Sequence, residues 1–253
     1  MRLISIALDR ERVGDWDAYP FTVPAIRALK RIEIRSRVVF FVGENGSGKS
    51  TLLEAIAAHY GFGLEGGNRN TRFATTQSVS SIEPLRKALR IAFTKRTGKG
   101  FYLRAESFFN LATYVDDVGV AWAYGGPSLH EQSHGESFFA ILENRIESTG
   151  LYLMDEPETA LSPQRQLAML AMLHGIARGN DEIQFVIATH SPILLAYPDA
   201  QILSFDDGEL CEITYRETQP YRLLSGFLAS PEHYLHHLLR DEPEDRLGDK
   251  VGE

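Results

Sequence analysis

The residues from Gly43 to Thr51 combine glycines, a lysine and two hydroxyl groups in a spacing that suits phosphate binding. They read G-E-N-G-S-G-K-S-T and fit the pattern G-x-x-x-x-G-K-[ST]. In this pattern backbone N–H groups surround the anion, the lysine contacts the β- and γ-phosphates, and the first hydroxyl binds Mg²⁺. A Gly-rich turn is the alternative. The predicted nucleotide-binding residues are Gly43, Asn45, Gly46, Ser47, Gly48, Lys49, Ser50 and Thr51.

A second apolar segment, Leu151–Met154, ends in two acidic residues, Asp155 and Glu156. A buried strand here would deliver Asp155 to the carboxyl edge of the sheet, where open α/β sheets bind phosphates. Asp155 would then hold Mg²⁺ together with Ser50, and Glu156 would polarise an attacking water as a catalytic base. The alternative is a solvated acidic turn before Pro157.

A third apolar segment, Gln184–Ala188, leads into Thr189 and His190. A histidine at this edge could donate to the γ-phosphate or orient the attacking water. The alternative is a structural histidine. We predict that His190, Glu156 and Lys49 are the catalytic residues.

Strands and helices must alternate to bring these three segments together, which favours an α/β fold with a mostly parallel core sheet. The predicted strands are Leu3–Leu8, Arg31–Arg35, Val38–Val42, Leu151–Met154, Gln184–Ala188, and a late pair at Gln201–Phe205 and Leu210–Tyr215. The predicted helices are Lys49–Tyr60, Ile82–Arg90, Glu136–Glu147, Pro163–Arg178 and His233–Leu239. We also expect a hairpin between Arg90–Phe93 and Gly100–Arg104.

The composition is that of a globular chain of 253 residues with a net charge of -8 and a single cysteine. It excludes a disordered chain, a coiled-coil rod and an internal disulfide. The longest apolar runs, Val38–Val42 and Leu151–Met154, are far shorter than the roughly 20 residues that span a bilayer. The first residues lack the pattern of a signal peptide. We therefore expect a cytoplasmic protein without membrane insertion.

With the three motifs in this order, the chain resembles the ABC-type ATPases. It is most similar to the stand-alone bacterial ATPases related to the SMC and double-strand-break-repair group. Ser133, which lies 22 residues before Asp155, falls where that family has its L-S-G-G-Q signature. The family's signature binds the γ-phosphate of ATP held by the opposite subunit, and a plain helix N-cap is the alternative here. The residues assigned to the signature are Ser133, His134, Gly135 and Glu136, of which Ser133 and Gly135 match.

The resemblance implies further roles. Thr159–Ser162 follows the acidic pair as the family's inter-subunit loop does. Gln77 is a candidate ligand of Mg²⁺, although an exposed loop glutamine without that role is equally consistent. Tyr19 or Phe21 could stack on adenine.

The implied architecture is a P-loop NTPase of ABC-ATPase type, with a mostly parallel core sheet, an antiparallel β portion and a small helical subdomain. We expect one domain over residues 1–240, with the helical and signature subdomain inserted at about 68–148, and an acidic tail over 241–253. Only 81 residues separate Thr51 from Ser133, and they show no heptad repeat, so the long arm of SMC proteins is missing.

The function implied is ATP hydrolysis, with Mg²⁺ as cofactor, by an ATP-sandwiched homodimer that acts as a switch in DNA repair or phage defence. The alternative is the motor subunit of an ABC transporter. A small-molecule kinase is a third class, but it leaves the signature and His190 without a use. An additional protein partner is possible.

A basic run between Pro84 and Ala105 contains no acidic residue and is interleaved with aromatic residues. It could follow a nucleic-acid backbone, with the aromatic rings stacking on bases. A solvated hairpin is the alternative. The basic residues are Arg86, Lys87, Arg90, Lys95, Arg96, Lys99 and Arg104.

Overall fold

The computed structural model describes residues 2–69, 76–94, 98–117, 119, 122, 130 and 134–239. Ser133, Lys95, Arg96 and the predicted acidic tail lie outside the described residues. The strands are β1 (Leu3–Leu8), β2 (Arg31–Glu33), β3 (Val38–Val42), β4 (Leu89–Phe93), β5 (Gly100–Arg104), β6 (Gly150–Asp155), β7 (Ile183–Ala188), β8 (Gln201–Ser204) and β9 (Cys211–Ile213).

The helices alternate with these strands over much of the chain. They are α1 (Pro24–Ala28), α2 (Lys49–Tyr60), α3 (Thr76–Ala88), α4 (Phe108–Asp117), α5 (His134–Arg145), α6 (Pro163–Ala177), α7 (Pro192–Leu195), α8 (Gln219–Ala229) and α9 (Pro231–Leu238). Within the part of the chain that the structure describes, no helix combines the length and apolarity needed to cross a membrane.

A six-stranded sheet forms the centre of the molecule, with the strand order β5-β6-β7-β3-β8-β9. Neighbouring strands from β5 to β8 run parallel, and β9 pairs antiparallel with β8. Because parallel strands present their carboxyl ends at one edge, the residues that follow β3, β6 and β7 lie side by side.

The three central strands are buried at every position because helices or a second sheet cover both faces. Side chains alternate between two hydrophobic cores. Val39 and Phe41 face the core that contains α2, whereas Val38 and Phe40 face the core that contains α6 and α7.

A separate antiparallel sheet, in the order β2-β1-β4, packs on the α2 side of the molecule. The fully buried side chain of Gln184 joins the two sheets. Its Oε1 accepts a hydrogen bond from the Leu3 N–H at 2.7 Å, and its Nε2 donates to the Leu3 carbonyl at 3.2 Å. These bonds satisfy the buried amide and fix β1 against β7.

The predicted α/β class, the mostly parallel sheet and the antiparallel portion are confirmed. The predicted bounds of β1, β3 and α2 agree with the structure residue for residue, and the late strand pair is present as β8 and β9. The helix predicted at Ile82–Arg90 instead spans Thr76–Ala88, because Leu89 and Arg90 begin β4.

The predicted hairpin is wrong. Strand β4 pairs with β1 in the antiparallel sheet, whereas β5 pairs in parallel with β6. The central residues of β5, Phe101 to Leu103, are all buried, as expected for a strand of the central sheet. An apolar strand of this kind is more stable between helices than on a solvated hairpin.

Candidate functional site

The loop between β3 and α2 has a backbone that requires glycine. Gly46 and Gly48 have φ angles of 78° and 105°, which side chains of L-residues disfavour. A Cβ atom at Gly48 would also lie 2.8 Å from Cγ1 of Val23. The loop is further held by Asp206, whose Oδ1 accepts a hydrogen bond from the Glu44 N–H at 2.8 Å.

Lys49 is buried at the first position of α2 and points back along the loop. Its Nζ donates to the carbonyl oxygens of Gly43 and Glu44, at 2.7 and 2.9 Å. Burial lowers the pKa of Lys49, and the nearby carboxylates of Glu156 and Asp155 oppose this effect. The amine is therefore held beside the loop in the position expected of a phosphate ligand.

Ser50 and Asp155 meet at the carboxyl edge of the sheet. The Ser50 hydroxyl donates to Oδ1 of Asp155 at 2.9 Å, and Asp155 is 4% exposed. Burial raises the pKa of Asp155 to about 6, against the Ser50 hydrogen bond and the charge of Arg104. A hydroxyl and a carboxylate oxygen are donors that suit Mg²⁺, which commonly takes one or two protein oxygens together with substrate phosphates. The two residues therefore fit the ion.

Glu156 and His190 stand together beyond the ends of β6 and β7. Oε1 of Glu156 lies 3.7 Å from Nε2 of His190, and the two side chains are about a third exposed, at 38% and 33%. Glu156 adopts a left-handed backbone, with φ 49° and ψ 50°, and its N–H donates to the Ala188 carbonyl at 2.9 Å. A second carboxylate, Glu158, accepts from the His190 N–H at 2.6 Å.

The surroundings of His190 favour the neutral form of its imidazole. Burial, together with the charge of Lys49, lowers the pKa of His190. Nε2 of His190 and Oγ of Ser47 are both buried and have no hydrogen-bond partner among the described residues. Buried polar atoms are normally satisfied, so a phosphate at this edge would supply the acceptors that these two atoms need.

The motifs do not indicate two residues of this site, Glu54 and Arg104, and the basic run places Arg104 wrongly. Arg104 pairs in register with Asp155 across β5 and β6, and its Nε lies 3.9 Å from Oδ2 of Asp155. Its Nη1 lies 2.7 Å from Oε1 of Glu54, and its Nη2 lies 2.7 Å from Oε2 of Glu106. Arg104 is thus surrounded by the carboxylates of Glu54, Glu106 and Asp155, which we call the carboxylate cluster, and does not belong to an exposed basic run. Burial raises the pKa of Glu54 to about 7.

A signal for both residues exists in the sequence. Glu54 lies four positions after Ser50, which places the two side chains on the same face of α2. Arg104 would have been placed correctly if Gly100–Arg104 had been interpreted as a buried parallel strand ending at the same edge as Asp155.

The other described basic residues of the run between Pro84 and Ala105 each lie against a carboxylate from outside the run. The pairs are Arg86–Glu83, Lys87–Glu83, Arg90–Asp9 and Lys99–Glu147, at 2.5, 3.5, 2.7 and 2.7 Å. In the described part of the run, each of these basic side chains is therefore compensated by a carboxylate from elsewhere in the chain, and the run does not form a positive surface.

Gln77 lies in the first turn of α3 and not in a loop. Its assignment as a Mg²⁺ ligand remains a prediction.

The described signature residues begin α5, where a Cβ at Gly135 would lie 3.2 Å from the Ala160 carbonyl. Glu136 lies 3.6 Å from Arg165 at the start of α6. The signature segment therefore packs on the turn that follows Glu156, and its role toward a second subunit remains a prediction.

One of the two adenine candidates is excluded by burial. Phe21 is 2% exposed within the core and cannot stack on a bound base without unpacking. Tyr19 is 49% exposed, and its hydroxyl lies 3.1 Å from Oγ1 of Thr51, at the end of the phosphate loop. Tyr19 remains the candidate.

Residues 24–160 match a family model described as an AAA domain, AAA_23. The chain belongs to this AAA domain family. The matched segment contains the phosphate loop, Asp155 and Glu156. No curated protein matches the chain.

Solved structures of similar fold include an ABC transporter assigned to the metal-chelate type in an inward-facing conformation, at 14% identity and a TM-score of 0.49. The SMC head domain from Thermotoga maritima is similar at 15% identity and a TM-score of 0.44. The protein cbiO1 from Clostridium perfringens, part of the ABC transporter complex cbiONQ, is similar at 17% identity and a TM-score of 0.45. Each match covers 85% of this chain, and 84%, 99% and 92% of the respective structures.

Proposed function

We propose that the protein hydrolyses ATP with Mg²⁺ as cofactor. The observation that carries this proposal is the convergence of Lys49, Ser50, Asp155, Glu156 and His190 at the carboxyl edge of three neighbouring parallel strands. Membership of an AAA domain family supports the same activity.

In the proposed reaction, the phosphate loop and Lys49 bind the β- and γ-phosphates and neutralise charge that develops on them. Ser50 and Asp155 would hold Mg²⁺, which supplies charge stabilisation to the phosphates when it is bound. Glu156 accepts a proton from the attacking water. His190, in its neutral form, donates a hydrogen bond from the imidazole N–H to the γ-phosphate.

We further propose that two copies of the chain enclose two ATP molecules, each between one phosphate loop and the signature segment of the partner. Within one copy, Gly135 packs against the Ala160 carbonyl, so the start of α5 contacts the turn that follows Glu156. In the proposed dimer this contact would couple the signature segment, which binds the partner's ATP, to the hydrolytic site of its own copy. Hydrolysis would then loosen the contact between the copies, and the dimer would open.

The dimer is tested by measuring the molecular mass of Glu156→Gln in solution with Mg-ATP. We expect a dimer, because the variant binds ATP but does not consume it. The matched control is Lys49→Ala/Glu156→Gln, which loses the phosphate ligand and should remain monomeric. A monomer for Glu156→Gln at micromolar concentration, with ATP bound, would contradict the sandwich.

For the biological role we propose a conformational switch in DNA repair or phage defence. The experiment is the ATPase rate with duplex DNA, single-stranded DNA or RNA, with Glu156→Gln as the blank. Stimulation by one nucleic acid supports this role. The motor subunit of a transporter is the alternative, and copurification of a membrane protein without any nucleic-acid effect would favour it.

A further inference from the structure

An open cleft of 590 Å³ lies at the edge of the central sheet opposite the phosphate loop. Its floor is formed where β3 and β8 begin, at Val38 and Gln201, and one wall is the end of α6. Strand β3 has five residues, so at a rise of about 3.3 Å each the cleft and the loop after Val42 are roughly 17 Å apart. The cleft is therefore separate from the nucleotide site, and its volume is that of a small-molecule pocket.

Arginines outnumber carboxylates along the cleft, although the chain as a whole has a net charge of -8. Four guanidinium groups line it, against two carboxylates, Asp199 and Glu212. The guanidinium groups are those of Arg2, Arg35, Arg37 and Arg178. A local charge of opposite sign to the whole protein attracts anions to this edge of the molecule.

Two of the four arginines pair with protein carboxylates. Arg35 lies 3.4 Å from Glu212, and Arg37 pairs with Asp181 while its Nη1 donates to the Ala177 carbonyl at 2.8 Å. The contacts of Arg37, which is 34% exposed, hold its guanidinium group in place before any ligand binds. The Arg35–Glu212 pair is exposed, at 72% and 50%, and compensates charge without fixing the geometry.

The other two arginines have no carboxylate partner among the described residues. The Arg2 side chain donates to the backbone carbonyl of Arg35, and Arg178 is exposed at the end of α6. A guanidinium group has five N–H donors in a planar fork that matches phosphate oxygens. Arg2 and Arg178 can therefore donate hydrogen bonds to an anion in the cleft.

Gln201 on the floor of the cleft and Tyr197 on its wall also contact other parts of the protein. Gln201 accepts from the Arg35 N–H at 2.9 Å and donates to the Glu33 carbonyl at 2.9 Å. Tyr197 is half-buried, and its ring centroid lies 6.0 Å from that of His174. A planar ring of a ligand could stack on Tyr197, beside the cationic groups.

We infer that this cleft binds a phosphorylated small molecule that carries a planar ring, such as a nucleoside monophosphate or diphosphate. Arg2 and Arg178 would bind the phosphate and Tyr197 would contact the ring, while Arg35 and Arg37, each compensated by a carboxylate, would border the cleft. The inference does not depend on ATP hydrolysis, because it concerns a separate site.

The test measures how many nucleotides each chain binds, by equilibrium dialysis with ADP and, separately, with AMP. We expect two ADP molecules per chain, one in the phosphate loop and one in the cleft. In Arg2→Ala/Arg178→Ala the cleft affinity should fall by roughly tenfold or more for each group removed, since hydrogen bonds to charged groups contribute that much. Binding in the phosphate loop should be unchanged. The reciprocal variant, Lys49→Ala, should weaken the phosphate-loop site and leave the cleft unaffected.

The matched control is Lys30→Ala/Arg222→Ala, which removes two exposed cations outside the cleft. Arg178→Ala alone provides a variant whose side chain is exposed, in case the Arg2 substitution disturbs folding. The inference is overturned if the wild-type chain binds a single ADP and no additional AMP, or if the arginine variants keep the second nucleotide. It is also overturned if these arginines bind a single-stranded oligonucleotide and no nucleotide.

Discussion

Replacing Gly48 by alanine tests whether the phosphate loop depends on the backbone geometry seen here. Gly48 combines a φ of 105° with a Cβ position 2.8 Å from Cγ1 of Val23. Gly46 is the matched position in the same loop, because its φ is also positive, at 78°, but a Cβ there has no atom within 4 Å. The two substitutions therefore separate backbone strain from steric conflict.

The expected magnitudes follow from these two effects. A non-glycine residue in the left-handed region costs about 1–2 kcal/mol, which is the whole cost for Gly46→Ala. Gly48→Ala adds the cost of overpacking against Val23, about 1–3 kcal/mol. We therefore expect the free energy of unfolding to fall by roughly 2–5 kcal/mol in Gly48→Ala, and ADP affinity to fall more than in Gly46→Ala.

Val23→Ala should rescue Gly48→Ala, because it removes the methyl group that a Cβ at Gly48 would meet. Urea unfolding of the two single variants and the double variant gives the coupling energy, which we expect to be about 1–3 kcal/mol in the stabilising direction. Calorimetry with ADP should show a parallel recovery of affinity. A coupling energy near zero, or equal losses for Gly46→Ala and Gly48→Ala, would refute the steric argument.

Two further predictions concern the carboxylate cluster and the strand that carries Arg104. Burial raises the pKa of Glu54 from 4.5 to about 7, so its contribution to stability is present below pH 4.5 and is lost as pH rises through 7, by roughly 3 kcal/mol. Glu54→Gln should flatten this decline between pH 5 and pH 8 in urea unfolding, and a slope equal to that of the wild type would contradict the burial argument. Gly100→Ala should cost more than about 3 kcal/mol, because its Cβ would lie 1.9 Å from the Leu151 carbonyl oxygen. Gly179→Ala, at a φ of 74° with no atom within 4 Å, should cost only the local strain, and equal thermal shifts for the two would count against the strand pairing.

The sequence predicts the central elements well where a short apolar run is bounded by clear signals. Val38–Val42 is followed by a Gly-rich loop, and α2 begins at Lys49 and ends before Gly61. These signals are local, so the pattern alone determines the bounds. The pairing of β4 and β5 is not local, because the two strands belong to different sheets, and a turn-like sequence between them favours a hairpin that does not form.

The residues of the candidate site also divide into those that local motifs indicate and those that depend on contacts between distant parts of the chain. Lys49, Ser50, Asp155 and Glu156 belong to recognisable motifs, and the structure brings them together as the motifs predict. The contact between Arg104 and Glu54 joins a strand to a helix about 50 positions apart, so the sequence indicates where each residue lies on its own element but not that the two meet. The cleft at the opposite edge is formed by separate parts of the chain and carries no motif.

The most direct test of the central claim is the rate of phosphate release from ATP by the wild-type protein and by Glu156→Gln. We expect release by the wild type and a rate at least 100-fold lower in the variant, since general base catalysis contributes about 10²–10⁴-fold. ATP affinity should be retained in Glu156→Gln. A variant that releases phosphate at the wild-type rate would contradict the role of Glu156 and the proposed mechanism.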